Sequence, residues 1–208
     1  MGLFIKFAAS GLLCCAGLFA QTVPAGPAPA PTGQRNVLVQ PGTALTLKEK
    51  YHLALIRSVE PAEIARIALG AGFDQLRNYP EEWGQGWDAF GVRMASGFGQ
   101  HWAKEEIEFG VWAVDHEDPR HRRSGLHGVW PRTRWAVIHT FVARRDDGDS
   151  MPAYSRFIGD YGAGFISREW FPTRFHNFQA GFDAGSASLG LDVGMNVLRE
   201  FAPSKFVH

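Results

Sequence analysis

Small residues recur at about every fourth position in two long segments: Gly91, Ala95 and Gly99 in one, and Gly181 and Gly185 beside Ser186, Gly190 and Gly194 in the other. Glycine costs a helix about 1 kcal/mol relative to alanine, so its repetition at this interval implies that something presses closely on that face. The usual neighbour is another helix. The spacing therefore predicts a closely packed helical protein, and a stripe that fits a second helix of the same chain fits a second copy equally well. A homo-oligomer stays open on this ground.

The periodicity resolves into an all-α, single-domain bundle of five or six helices over residues 45–203. Thr46 can cap a helix over 47–58, and Pro61 suits the first turn of a second running to Leu76. A third helix, 82–114, carries Trp87, Phe90, Met94, Phe98 and Trp102 at intervals of three or four. The polar stretch 115–130 reads as a loop. Residues 132–142 suit either strand or helix by composition and are assigned to helix. Ser150 and Pro152 open the next helix, which Pro172 closes, and a last one is expected from Thr173, as its cap, to Phe201.

The amino end has the layout of a signal peptide: Lys6, then an apolar run to Ala20, with cleavage expected before Gln21. A retained anchor, or a lipid on Cys14 or Cys15, are the alternatives. Residues 21–44 alternate proline with small residues and read as a tether, and 204–208 form a tail. Both cysteines lie inside the expected signal, so the mature core must hold by packing alone. Without Lys6, 20 basic residues face 21 acidic ones, a formal charge of −1 that argues against nucleic acid as a partner. Asp160, Arg168, Asp183 and Asp192 interrupt every stretch long enough to span a bilayer.

Four sets of residues can carry chemistry. Between residues 119 and 145 lie seven arginines and no acid. Guanidinium binds phosphate and carboxylate in bidentate fashion, so Arg120, Arg122, Arg123, Arg132 and Arg134 are candidates for anion binding. Trp130 and Trp135, in the same stretch, suit a membrane interface. The alternative is that these arginines pair with the acids flanking them. Asp160, Asp183, Asp192 and Asn196 fall in glycine-rich helices and read as buried polar clamps or a carboxylate pocket, with Arg156 sharing a face with Asp160. His116, Asp118 and His121 have the residue types of a metal site without a diagnostic spacing. No serine elbow, phosphate loop or dinucleotide fingerprint occurs, and no motif implies a cofactor.

The runs Gly86-Trp87-Asp88-Ala89-Phe90-Gly91, Glu117-Asp118-Pro119-Arg120, Thr140-Phe141-Val142-Ala143-Arg144, Tyr161-Gly162-Ala163 and Asn196-Val197-Leu198-Arg199-Glu200-Phe201 together resemble a family of exported, Gly-rich helical bacterial proteins with no assigned activity. The resemblance implies export and a helical fold and supplies no reaction. Glu169, Pro172 and Arg174 with Asp192-x-x-x-Asn196 also resemble the polar pattern of VanZ-like membrane proteins, without their uninterrupted spans. The expected function is that of a non-catalytic, periplasmic or envelope protein, peripheral to a membrane, which associates with anionic lipid or an envelope polymer through its arginines. A metal-assisted hydrolase using His116, Asp118 and His121 is the alternative from another class, and a scaffold without ligand is the third.

Overall fold

Thr46 opens the first helix with a reciprocal cap: its hydroxyl accepts from the Glu49 amide at 3.3 Å, and the Glu49 carboxylate accepts from the Thr46 amide at 2.8 Å. The computed structural model describes residues 44–202, so the expected signal, nearly all of the tether and the tail lie outside the described residues. Helix α1 spans Leu47–Ser58 and α2 Pro61–Leu76, with Pro61 in the first turn, as the sequence predicts.

The third helix starts later than expected. Glu81–Trp83 forms a single 3₁₀ turn, and Gly84 and Gly86 follow at φ of 71° and 102°, values that exclude most side chains and hold the chain out of helix. Helix α3 then runs Trp87–Asp115. Arg93 on α3 fastens the preceding turn, donating to the carbonyls of Tyr79, Pro80 and Gly84 and to the Gln75 side chain at 2.7–3.1 Å.

Residues 132–142 are helical apart from Val142, within α4, Val129–Phe141. The strands on either side of it form an unpredicted element, a small antiparallel sheet in the order β1-β2-β3: Glu117–Asp118 before α4, and Val142–Arg145 and Ser150–Pro152 after it. Ser150 and Pro152 therefore belong to a strand rather than a helix start, and α5 spans Tyr154–Ser167. Two 3₁₀ turns, Arg168–Trp170 and Thr173–Phe175, follow before α6, Phe178–Phe201, whose cap is Asn177 and not Thr173.

These elements make a predominantly α-helical single domain of six α-helices among the described residues. Helix α5 is its central member, packed between α3 and α6, while α1 and α2 lie on α3, and α4 lies on α6. Close approach requires the glycines of α5. A Cβ at Gly159 would sit 2.7 Å from Cγ of Glu108, and one at Gly164 would sit 2.7 Å from the Gly185 nitrogen. On α6, the Tyr161 and Phe165 rings of α5 cover Gly185 and Gly181.

The small-residue reading is thus half right. Gly181 and Gly185 are buried in the α5/α6 contact, whereas Gly190 and Gly194 have nothing within 4 Å of a Cβ position. In α3, Gly91 and Ala95 are exposed. Of that stripe Gly99 is the member in contact, facing Trp170 at 3.5 Å, and Gly97, outside it, faces Ile67 at 3.0 Å. Period alone states which residues share a face and not whether that face is covered. No helix of the described residues is long and apolar enough to cross a membrane.

Candidate functional site: an arginine pocket and a buried charge cluster

The loop leaving β1 is fastened to the end of α6. Glu200, 1% exposed, accepts from the Ser124 amide and hydroxyl and from Nε of Arg132 at 3.0 Å, and the Arg132 guanidinium also donates to the Glu200 carbonyl. Arg123 donates to the Ala202 carbonyl at 2.5 Å. Closer to β1, Asp118 accepts from Arg120 at 2.7 Å and from Arg122 at 2.9 Å. Burial raises the Asp118 pKa, but the bonds from Arg120 and Arg122 outweigh it and hold the carboxyl below its usual range. Three of the five candidate arginines are therefore ion-paired within the fold, two to the flanking Asp118 and one to the distant Glu200.

Between this loop, α4, the sheet and α5 lies a concavity of about 320 Å³. Arg120, Arg122, Arg123, Arg144 and Arg156 contribute to its lining, against a single lining carboxylate, Asp118. Five guanidiniums and one carboxylate leave a formal +4. Arg156 is bound to the His139 and Thr140 carbonyls at 2.6 and 2.7 Å, and Arg144 to the Gly148 carbonyl at 3.0 Å, contacts that neutralise no charge. His121 registers this field: burial, then the charges of Arg199, Arg156 and Arg123, bring its pKa down to about 4, and its Nε2 is buried without a hydrogen-bond partner. A concave, cationic site of this kind is suited to an oxyanion.

The remaining arginine candidate, Arg134, is exposed on α4, four residues after Trp130, which is itself 76% exposed. Trp135 is half-buried and stacks on His139 with ring centroids 3.9 Å apart. The metal triad is not assembled. His116 is exposed in a left-handed conformation that ends α3, Asp118 is held by its arginines, and no group of three metal-ligating side chains occurs among the described residues.

The clamp residues separate. Asp183 is exposed, taking only a hydrogen bond from Gln179, which corrects its expected burial. Asn196 is buried and donates to Thr140 at 2.9 Å. Asp160, fully buried, accepts from Ser188 at 2.6 Å and pairs not with Arg156 but with Lys104 at 2.7 Å. Lys104 also reaches Asp192 at 2.6 Å. The same interior holds Glu105 and Glu108, each within 3.4 Å of Arg57. Two cations thus face four carboxylates, and oxygens of Glu105, Glu108 and Asp160 have no hydrogen-bond partner. The imbalance favours the protonated form of two of these carboxyls. Burial pushes Glu105 up to about 7 in spite of Arg57, and burial with the Asp192 charge pushes Asp160 up to about 6 in spite of Lys104.

Arg144 stood in the arginine-rich stretch without being singled out, Arg156 was named only beside Asp160, and Lys104, Glu105 and Glu108 were missed as site residues. The run Lys104-Glu105-x-x-Glu108 inside an apolar helix was the available signal for the last three. Compared with protein-family models, with curated proteins and with solved structures, the chain matches none, so the geometry carries the functional reading.

Proposed function

We propose that this chain is an exported, non-catalytic envelope protein that docks on an anionic membrane surface by taking an acidic headgroup into the arginine pocket. The observation that carries the reading is the pocket's lining, five arginines against Asp118, around His121, whose pKa is brought down first by burial and then by Arg199, Arg156 and Arg123. Val129 and Trp130, both more than 70% exposed at the start of α4, the helix that also lines the pocket with Trp135, Ala136 and His139, supply an apolar seat, and Arg134 shares the Trp130 face. Arg120 and Arg122 order the loop by holding Asp118, which leaves Arg123, Arg144 and Arg156 in the pocket, and Arg134 beside Trp130, bound to no carboxylate in the described fold; Arg156 is tied to two α4 carbonyls, so Arg123, Arg134 and Arg144 are the ones to vary.

The test is co-sedimentation with vesicles containing phosphatidylglycerol, set against neutral vesicles and isolated envelope polysaccharide. Binding should favour the acidic vesicles and fall as salt shortens the Debye length. Changing Arg123, Arg134 and Arg144 together to Gln should remove about 3 kcal/mol, roughly 150-fold in affinity, at ~1 kcal/mol per basic group, with an unchanged melting profile. Indifference of the parent to acidic vesicles, or equal binding by the triple variant, refutes the proposal. Preference for the polysaccharide replaces the membrane with a polymer.

A further inference from the structure

Helices α2 and α6 both rest on the central bundle but diverge from each other, leaving a groove of about 1140 Å³ floored by α3. Small and apolar residues make up much of its walls, Ala65 and Gly70 on one side and Ala184, Ala187 and Leu191 on the other, with Asp74 and Asp183 among the polar positions between them. Gly70 and Gly194 present open space where a Cβ would project, and Leu69 and Leu198 at the rim are 76% and 65% exposed. An apolar concavity left this open by small residues is a site for an apolar occupant, since its surface otherwise stays in contact with water.

The charges at the groove decide what kind of occupant. Nearly every cation that lines it is already satisfied inside the fold. Lys104 is held by Asp160 and Asp192, Arg66 by Glu63, Arg199 by Glu60 and Glu63, Arg174 by Glu82, and Arg93 by four oxygen acceptors. Arg168 differs. It is 8% exposed, its Nε and Nη2 share one neutral acceptor, Ser167 Oγ, at 3.3 and 3.0 Å, and its guanidinium lies 3.7 Å from the centre of the Phe171 ring. No carboxylate of the described residues is within ion-pair distance of it. A buried guanidinium with one hydroxyl partner is short of an anion. At the other end, the Arg199 ion pairs to α2 cross the gap between the walls.

We infer that the α2/α6 groove binds a long-chain fatty acid, its hydrocarbon lying along the alanine and glycine walls and its carboxylate on Arg168. The site is separate from the arginine pocket and stands or falls independently of membrane docking. An acyl chain matches the alanine, glycine and leucine positions of the two walls, and a carboxylate matches the planar donor fork that Arg168 offers beside Ser167. Phe171, Phe175 and Tyr79 surround that end and restrict water around the headgroup.

Equilibrium titration of the full chain with palmitate and with hexadecanol tests the assignment. Palmitate should bind more tightly than the alcohol, and each methylene removed from the acid should weaken binding about fourfold. Arg168→Gln should lower palmitate affinity roughly 10- to 150-fold and abolish the preference for acid over alcohol, while Arg168→Lys retains part of it. Ala187→Phe, at an exposed wall position, should block both ligands. Arg123→Gln with Arg144→Gln should leave palmitate binding intact, which separates this groove from the arginine pocket. Failure of the parent to bind palmitate, equal affinity for the alcohol, or insensitivity to both Arg168→Gln and Ala187→Phe overturns the inference. A change of sedimenting mass in Ala187→Phe, with no palmitate bound by the parent, assigns the groove to a second copy of the chain instead.

Discussion

Replacing Gly164 and Gly190 separately by alanine sets two helical glycines of similar sequence context against each other. At Gly164 the added methyl meets backbone, 2.7 Å from the Gly185 nitrogen and 2.8 Å from the Gly181 carbonyl oxygen. Backbone cannot rotate aside, so α5 and α6 must separate, and overpacking of this kind costs at the upper end of ~1–3 kcal/mol. The helix preference for alanine returns roughly 0.5–1 kcal/mol, leaving a net loss of about 2 kcal/mol. At Gly190 nothing lies within 4 Å, so only the gain remains. For a domain of this size 1 kcal/mol moves the melting temperature by ~2–4 °C. Gly164→Ala should therefore melt about 4–8 °C lower than the parent and Gly190→Ala about 1–4 °C higher. Thermal melting by circular dichroism, repeated as urea titration to check that the slope is unchanged, reads both. Shifts of the same sign refute the assignment of α5/α6 as the close helix contact.

Two further outcomes follow from the buried charges. Glu105 has its pKa raised from 4.5 to about 7, so the stability it contributes is full below about pH 4.5 and lost as pH rises through 7. Glu105→Gln, neutral throughout, should raise the urea midpoint at pH 8 and leave it nearly unchanged at pH 5; an equal effect at both values contradicts the assignment. Lys104→Met leaves Asp160 and Asp192 without their cation and should cost about 3–5 kcal/mol in denaturant titration, little altered by salt, and a loss below about 1 kcal/mol would contradict the cluster.

Local signals made part of this structure legible. Thr46 with Glu49 and Pro61 mark true helix starts, because a cap or a first-turn proline acts within four residues. The sheet was not legible. Its strands are two to four residues long, and Glu117, Asp118 and Ser150 have no strand preference, so pairing with Val142–Arg145 comes from tertiary context. The arginine segment stood out by composition, but its partners did not: Asp118 was expected among several flanking acids, and Glu200 lies 68 residues beyond Arg132. Arg156 and Asp160 do sit four apart on α5, yet Arg156 reaches carbonyls of α4 while Asp160 reaches α3. Which neighbour surrounds α5 is information that no helical period contains. The same gap hid Lys104, whose burial depends on α5 and α6 closing over α3.

The placement of α5 between α3 and α6 also bears on how the chain reaches its native state. The counter-ions of Lys104 come from residues 56 and 88 positions later, on helices that are completed after α3. While the chain is being made, α1 and α3 bring Arg57 and Lys104 against Glu105 and Glu108, two cations to two carboxylates, and the two further carboxylates, Asp160 and Asp192, arrive only with α5 and α6. Docking of α5 and α6 then buries the ionic groups and interlocks Gly164 with Gly181 and Gly185 in one event. Such non-local closure makes the folding barrier depend on bringing distant segments together, so the bundle should assemble late, as a unit, and slowly for an all-helical protein of its size.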